Sequence, residues 1–238
     1  MLLGARIAVV VPAHNEAPRI GLVISRMPPF VDQVVVVDDA STDDTCGAVE
    51  ACPDPRVRLV RHAVNRGVGA AIATGYRIAR KDGADVIAVM AGDDQMDPDD
   101  LESVIRPVAE GSADYVKGDR VHHPQARAMP LARRAGTQVL GVLTRWAVRV
   151  PGLTDSQCGY TALSGAAVDR LDLTSLWPRF GYPNDLLGLL AEKRLRVLQV
   201  PVRPVYQGEP SELRPWYVAT VVALVARAAW RVRRPRRP

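Results

Sequence analysis

The stretch VIAVMAGDDQMDP, Val86 to Pro98, carries an apolar run straight into a glycine and a knot of acids. An ordinary strand end needs one turn residue or two. Here Asp93, Asp94 and Asp97 crowd together with Gln95 among them. Carboxylate and amide oxygens are hard ligands suited to Mg2+ or Mn2+. Such ions commonly keep waters, so one or two protein oxygens from a single loop suffice. Asp93 and Gln95 can supply them, with Asp94 as a substitute. Asp97, directly before Pro98, has the pattern of a helix N-cap.

Polar clusters close other apolar runs in the same way, at Pro12–Glu16, Asp38–Asp44 and Asn65–Gly69. NRGVGA is not a Walker loop, because no Gly-Lys-Ser/Thr follows, and Gly67 with Gly69 lacks the third glycine of a dinucleotide fingerprint. It reads as a helix N-terminus with Arg66 beside it, suited to an anionic ligand, or as close packing through Gly69 and Gly75. In VVVVDDAST, Ser41 or Thr42 can cap the following helix. Arg133 and Thr137, four apart on an expected helix, share a face.

The elements that must position these loops alternate. RIAVVVP (Arg6 to Pro12) and DQVVVVDD (Asp32 to Asp39) are β-branched and continuous, as buried parallel strands should be. RVRLVRH, DVIAVMA and ADYVKGD follow at similar intervals, with helical stretches at Glu16 to Arg26, Thr42 to Ala51 and Val68 to Lys81 between them. That order predicts a parallel sheet covered on both faces, with ligands collecting at the carboxyl ends of the strands. Further on come a helix over Leu131 to Val150, a strand at YTAL, a helix from near Pro183 and a strand in RVLQVPVRPVY. The final apolar segment, Trp216 to Trp230, is interrupted by Arg227 and is too short to span a bilayer in the usual way.

A chain of 238 residues can bury a sizeable core. Three cysteines without paired metal-ligand spacing fit a reducing compartment better than a disulfide scaffold. The N-terminal apolar run is too short for a signal peptide. The formal charge is +5, but six arginines lie in the last twelve residues, so the body is close to neutral. Net charge therefore argues against a nucleic-acid-binding surface and assigns the basicity to the tail.

Taken in order, VVPAHNE, VVVVDDASTDDT, NRGVGAAIATGY, GDDQMDP and KGDR resemble the nucleotide-sugar-binding half of the inverting GT-A glycosyltransferases. The chain is most similar to the branch of dolichyl- and polyprenyl-phosphate mannose and glucose synthases, over roughly Ile7 to Arg214. The resemblance implies a single α/β domain with a mostly parallel, Rossmann-like sheet over residues 1–214, and a C-terminal amphipathic, basic helix over 215–238. It implies that Pro12, His14 and Glu16 line the base and ribose pocket, that Asp39 accepts a ring N–H of the base, and that Arg66, Gly67 and Asp93 complete the nucleotide-sugar site. Ser211 and Arg214, in YQGEPSELR, would close over the diphosphate. Asp93 and Gln95 would hold Mg2+ or Mn2+; the family pattern is Asp-x-Asp-x-Gln, and Ala91 stands where its first Asp would be. On the acceptor side it implies Arg120, Arg133 and Thr137 as phosphate contacts and Asp155, in TDSQCGY, as the active-site carboxylate.

The expected activity is inverting transfer of a sugar from a UDP-sugar or GDP-mannose to a polyprenyl phosphate at the cytoplasmic face of a membrane. The Arg-rich tail would rest on anionic lipid. A soluble enzyme with a hydroxyl acceptor is the alternative. It needs a general base, and Asp185 in GYPNDLL stands where hydroxyl-acceptor relatives carry theirs. A regulatory nucleotide-sugar-binding module is a third reading, favoured by Ala91 and opposed by Asp93, Asp155 and Arg120. A nucleotidyltransferase lacks its glycine-rich, basic signature here.

Overall fold

Val34 to Val37 lie fully buried on an inner strand of the sheet, with apolar neighbours on both faces, which is what a run of β-branched residues predicts. The computed structural model describes residues 1–205 and 215–234. Among them are β1 (Ile7–Ala13), β2 (Gln33–Asp38), β3 (Val57–Arg61), β4 (Val86–Val89), β5 (Tyr115–Asp119), β6 (Thr161–Ser164) and β7 (Val197–Pro201). They form one sheet in the order β3-β2-β1-β4-β6-β5-β7, with β3 at one edge. The helices are α1 (Ala17–Ser25), α2 (Thr45–Glu50), α3 (Val68–Lys81), α4 (Leu101–Ala109), α5 (Leu131–Val148), α6 (Gly165–Arg170), α7 (Tyr182–Glu192) and α8 (Pro215–Arg233).

The sheet is mixed. β3, β2, β1 and β4 are parallel, and β5 pairs parallel with β7, but β6 runs antiparallel between β4 and β5. One reversed strand leaves all the others pointing their carboxyl ends at the same edge. The chain steps outward from β1 through β2 to β3, then crosses back to place β4 on the other side of β1. That reversal opens a crevice at the strand ends, where α/β sheets take ligands.

Alternate residues feed two cores. Val10, Val35, Val37 and Val89 pack with α3, α6 and α7, whereas Val9, Val11, Val34 and Val36 pack under α1 and α4. Gly75 lets α3 lie close to the sheet, since a Cβ there would come within 2.2 Å of Val10. α5 stops at Val148 because Arg149 turns left-handed, at φ 56°. α8 buries Val221, Leu224 and Ala228; a Cβ on Gly181 or Gly188 would meet Leu224 or Ala228 at 2.7 Å. No helix among the described residues is long and apolar enough to cross a membrane.

Candidate active site

The loops at the carboxyl ends of β1 and β2 are stitched together by Asn15, which the sequence reading passed over. Its Oδ1 accepts the N–H of Thr42 at 2.8 Å, and its own N–H donates to Ser41 Oγ at 2.9 Å. Next to it, the Glu16 N–H donates to Thr45 Oγ1 at 2.8 Å. Pro12 is buried within β1, while His14 is exposed with Nε2 3.3 Å from Asn65 Nδ2. Asn15, Ala40 and Asp94, one in each of three strand-end loops, hold φ between 57° and 58°. Asparagine and aspartate tolerate that region, whereas alanine is held there at a cost of roughly 1 kcal/mol.

Asp39 is 3 % exposed and serves the loop beside it. Its oxygens accept from the N–H of Arg66 at 2.9 Å, the N–H of Gly67 at 2.6 Å and His62 Nδ1 at 2.7 Å. Burial works against this anion, but the N–H groups of Arg66, His62 and Gly67 outweigh it and hold the carboxyl below its ordinary range. The anion seated at the start of α3, where the sequence suggested an anionic ligand, is Asp39 itself. Gly67 sits at φ 94°, with no room for a Cβ beneath the Pro178 carbonyl. The Ala70 N–H is covered by the same carbonyl, at 3.0 Å. Gly69 and Gly75 follow the packing alternative, against Trp177 and Val10. His62 was unmarked in the sequence; its position at the end of a strand beside an acidic loop was the available signal.

After β4, the Gln95 N–H donates to Asp93 Oδ1 at 3.0 Å, curling the loop around that carboxylate. Asp94 points elsewhere and pairs with Arg26 Nη1 at 2.9 Å, so it makes a poor substitute ligand. Asp97 caps as expected, accepting from the Asp99 N–H at 3.1 Å, and its other oxygen meets Arg203 at 2.5 Å. No group of three or more His, Cys, Asp or Glu side chains that could hold a metal occurs among the described residues. Asp93 and Gln95 remain the expected donors, and two protein oxygens fit an ion that completes its shell with waters and an anionic ligand.

On the far side of the crevice, Arg120 follows β5. Asp155 is fully buried and grips it twice, Nε to Oδ2 at 2.8 Å and Nη2 to Oδ1 at 3.1 Å. The same carboxylate accepts the N–H groups of Gln157 and Cys158, both at 3.0 Å. Burial raises its carboxyl, but the charges of Arg120 and Lys117 and these hydrogen bonds hold it low. Asp155, expected as the active-site carboxylate, thus faces the protein and anchors Arg120. Lys117, unmarked in the sequence, is fully buried below this turn and donates to the Cys158 carbonyl. Two residues past Arg120, exposed His122 places Nδ1 2.6 Å from Asp119 Oδ2.

Thr137 is buried and Arg133 half-buried on the inward side of α5. Farther along this helix a Cβ on Gly141 would collide with Thr154, next to Asp155. Asp185 does not reach the crevice. It is fully buried, accepts the Trp177 N–H at 2.8 Å, and lies 3.5 Å from both Arg227 and Arg231 of α8. This corrects its expected place as a general base, since no solvent reaches it. It also turns two of the tail arginines inward. Ser211 and Arg214 lie outside the described residues.

A switch point in an α/β sheet, with carboxylates in the loops on one side and a fixed arginine on the other, is the architecture of the GT-A fold. The glycosyl transferase family 2 model matches residues 8–145, more than half of the chain, and the chain belongs to that family of glycosyltransferases. It is 29 % identical over 216 residues to the UDP-N-acetylglucosamine–dolichyl-phosphate N-acetylglucosaminyltransferase of Methanococcus voltae, covering 84 % of this chain and 86 % of that one. It is 27 % identical to the polyprenol monophosphomannose synthase of Mycolicibacterium smegmatis, covering 83 % and 76 %. Among solved structures, glucosyl-3-phosphoglycerate synthase from Mycobacterium tuberculosis, in complex with Mn2+, UDP and glucosyl-3-phosphoglycerate, superposes with a TM-score of 0.72. That match has 20 % identity and covers 95 % of this chain and 80 % of that one, and it establishes the shared fold.

Proposed function

We propose that the protein moves a sugar, with inversion, from a nucleotide diphosphate sugar to a polyprenyl phosphate. The observation that carries this reading is the Arg120–Asp155 pair, a guanidinium fixed in two directions at the carboxyl end of β5 and partly open to solvent. Such a group suits an anionic acceptor. The two relatives named for dolichyl-phosphate and polyprenol phosphate chemistry support it.

An acceptor phosphate oxygen attacks the anomeric carbon on the face opposite the diphosphate. The new C–O bond forms as the bond to the diphosphate breaks, and the electron pair leaves with the diphosphate. No proton need move, because the acceptor is already ionised. Arg120, with Arg133 and Thr137, orients the incoming phosphate, while Asp39 fixes the Arg66–Gly67 turn along the nucleotide and His14 and Glu16 border the base and ribose. Mg2+ or Mn2+ held by Asp93 and Gln95 would neutralise charge on the leaving diphosphate.

The lipid acceptor calls for a surface that meets a membrane. Leu131, Val139, Val142 and Trp146 on α5, with Val222 and Trp230 on α8, are each more than half exposed. Neither helix carries an acid. Arg233 stacks 4.5 Å above Trp146, and Arg234 lies 4.7 Å from the Trp230 ring. Apolar and aromatic residues edged by arginine fit the headgroup region of an anionic bilayer. With Arg227 and Arg231 turned inward, the contact is assigned to this paired face rather than to the tail alone.

One observation favours a hydroxyl acceptor: His122, oriented by Asp119, has the geometry of a general base. The deciding assay follows nucleotide diphosphate release from UDP- and GDP-sugars with polyprenyl phosphate or with soluble hydroxyl acceptors. Polyprenyl phosphate should stimulate release, and Asp93→Ala should abolish it in a folded protein. Release driven only by hydroxyl acceptors, and lost in His122→Ala, would overturn the lipid reading.

A further inference from the structure

The chain has three lysines; Lys81 is exposed, Lys193 is half-buried and Lys117 is fully buried. Among so many arginines, the cation chosen for the interior is the one that can lose its proton. A buried ammonium is costly unless charge and acceptors meet it. Lys117 lies on β5 three residues before Arg120 and donates to the Cys158 carbonyl. The Cys158 N–H donates to Asp155, which holds Arg120. The turn from Asp155 to Cys158 is therefore gripped at its carbonyl by one cation and at its carboxylate by another. Lys117 and Arg120 thus approach the same turn, one at its carbonyl and one at its carboxylate. Arg120 is the member that reaches solvent, at 24 % side-chain exposure.

We propose that Lys117 is a positioning residue that adds a buried positive charge behind Arg120 and thereby sets the affinity of that site for the anionic acceptor. With Lys117 neutral, the turn that holds Arg120 loses one positive charge. The inference rests on the acceptor being a phosphate, as above. Burial pulls Lys117 down to about 8, Cys158 and Asp155 pull the other way, and Arg120 adds to the depression. Tyr115 and Asp119 flank it along β5. The phenols of Tyr115, Tyr76 on α3 and Tyr182 on α7 are pushed above their ordinary range by burial and stay neutral. The sign follows from the lowered value. The ammonium is charged below about pH 8 and neutral above, so the site loses that charge as pH rises through that point.

The test measures acceptor and donor KM with a short, soluble isoprenyl phosphate from about pH 7 to about pH 9.5, in the wild type and Lys117→Met. Comparison at each pH cancels titrations common to both proteins. At pH 7 the substitution should raise acceptor KM about tenfold, about 1.4 kcal/mol, while donor KM and kcat stay within about twofold. The ratio of variant to wild-type acceptor KM should fall towards one by the top of the range. With only three lysines, carbon-13 labelling of Lys Cε should also show one resonance titrating near 8. Parallel pH profiles, or three resonances that all titrate above about 10, overturn the inference. No turnover with isoprenyl phosphate in any protein overturns the acceptor reading first, and this inference with it.

Discussion

Asp39 accepts from His62, Arg66 and Gly67 at once, and removing the carboxylate would leave these donors facing a buried space. Each unpaired buried donor costs about 1–3 kcal/mol. Asp39→Ala should therefore loosen the Arg66–Gly67 turn and weaken nucleotide binding about tenfold or more, the equivalent of about 1.4 kcal/mol. Affinity for Mn2+ alone should move far less, because Asp93 and Gln95 lie on another loop. Calorimetric titration of each ligand reads both effects, and an unchanged nucleotide affinity would remove Asp39 from the site. Sequence marked Asp93 by its loop, and the family resemblance pointed to Asp39 and Asp155, but neither told the direction each carboxylate faces. A carboxylate is spelled the same whether it meets solvent, as a base must, or a guanidinium, as Asp155 does. Lys117 was hidden for a related reason. A lysine within ADYVKGD reads as a solvent-facing strand position, and only β6 and β7 on either side, with the helical layer above, bury it.

Among the elements, α5 and α8 carry the sharpest expectation. If their shared outer face meets lipid, Trp146→Glu with Trp230→Glu should cut co-sedimentation with vesicles rich in anionic phospholipid by about tenfold, since each charge opposes both burial and headgroup. Turnover on a soluble, short-chain acceptor should persist, as neither side chain borders Arg120. Equal sedimentation of variant and wild type would exclude this face as the contact. Most strands and the longer helices were legible because apolar periodicity and strand-end polar clusters agree, whereas α4 (Leu101–Ala109) and the short α6 (Gly165–Arg170) were not anticipated. The α3 bounds were read as they stand, Val68 to Lys81. The reversal of β6 was not legible, because TALS fits a parallel or an antiparallel neighbour equally well. Its direction is set by the chain returning from α5 into a slot between β4 and β5, which is a property of the assembled sheet.

For the molecule as a whole, placing β3 last in the sheet has a consequence for how copies of the chain behave toward one another. An edge strand offers a row of unpaired backbone groups, a template on which a second chain can add. Here the exposed positions along that strand are arginines, and each is tied down: Arg58 meets Asp82 at 2.5 Å and Arg61 meets Glu50 at 2.6 Å. An incoming strand would have to break these pairs and bring its own arginines against them. Arg58→Val with Arg61→Val should leave the fold intact and turn the edge adhesive. Light scattering of the concentrated protein should then rise with time while the wild type stays clear, and equal scattering would mean that the border is guarded by something other than charge. The ion pairs on β3 add little to stability, as surface pairs generally do; what they alter is the welcome that this edge gives to another strand.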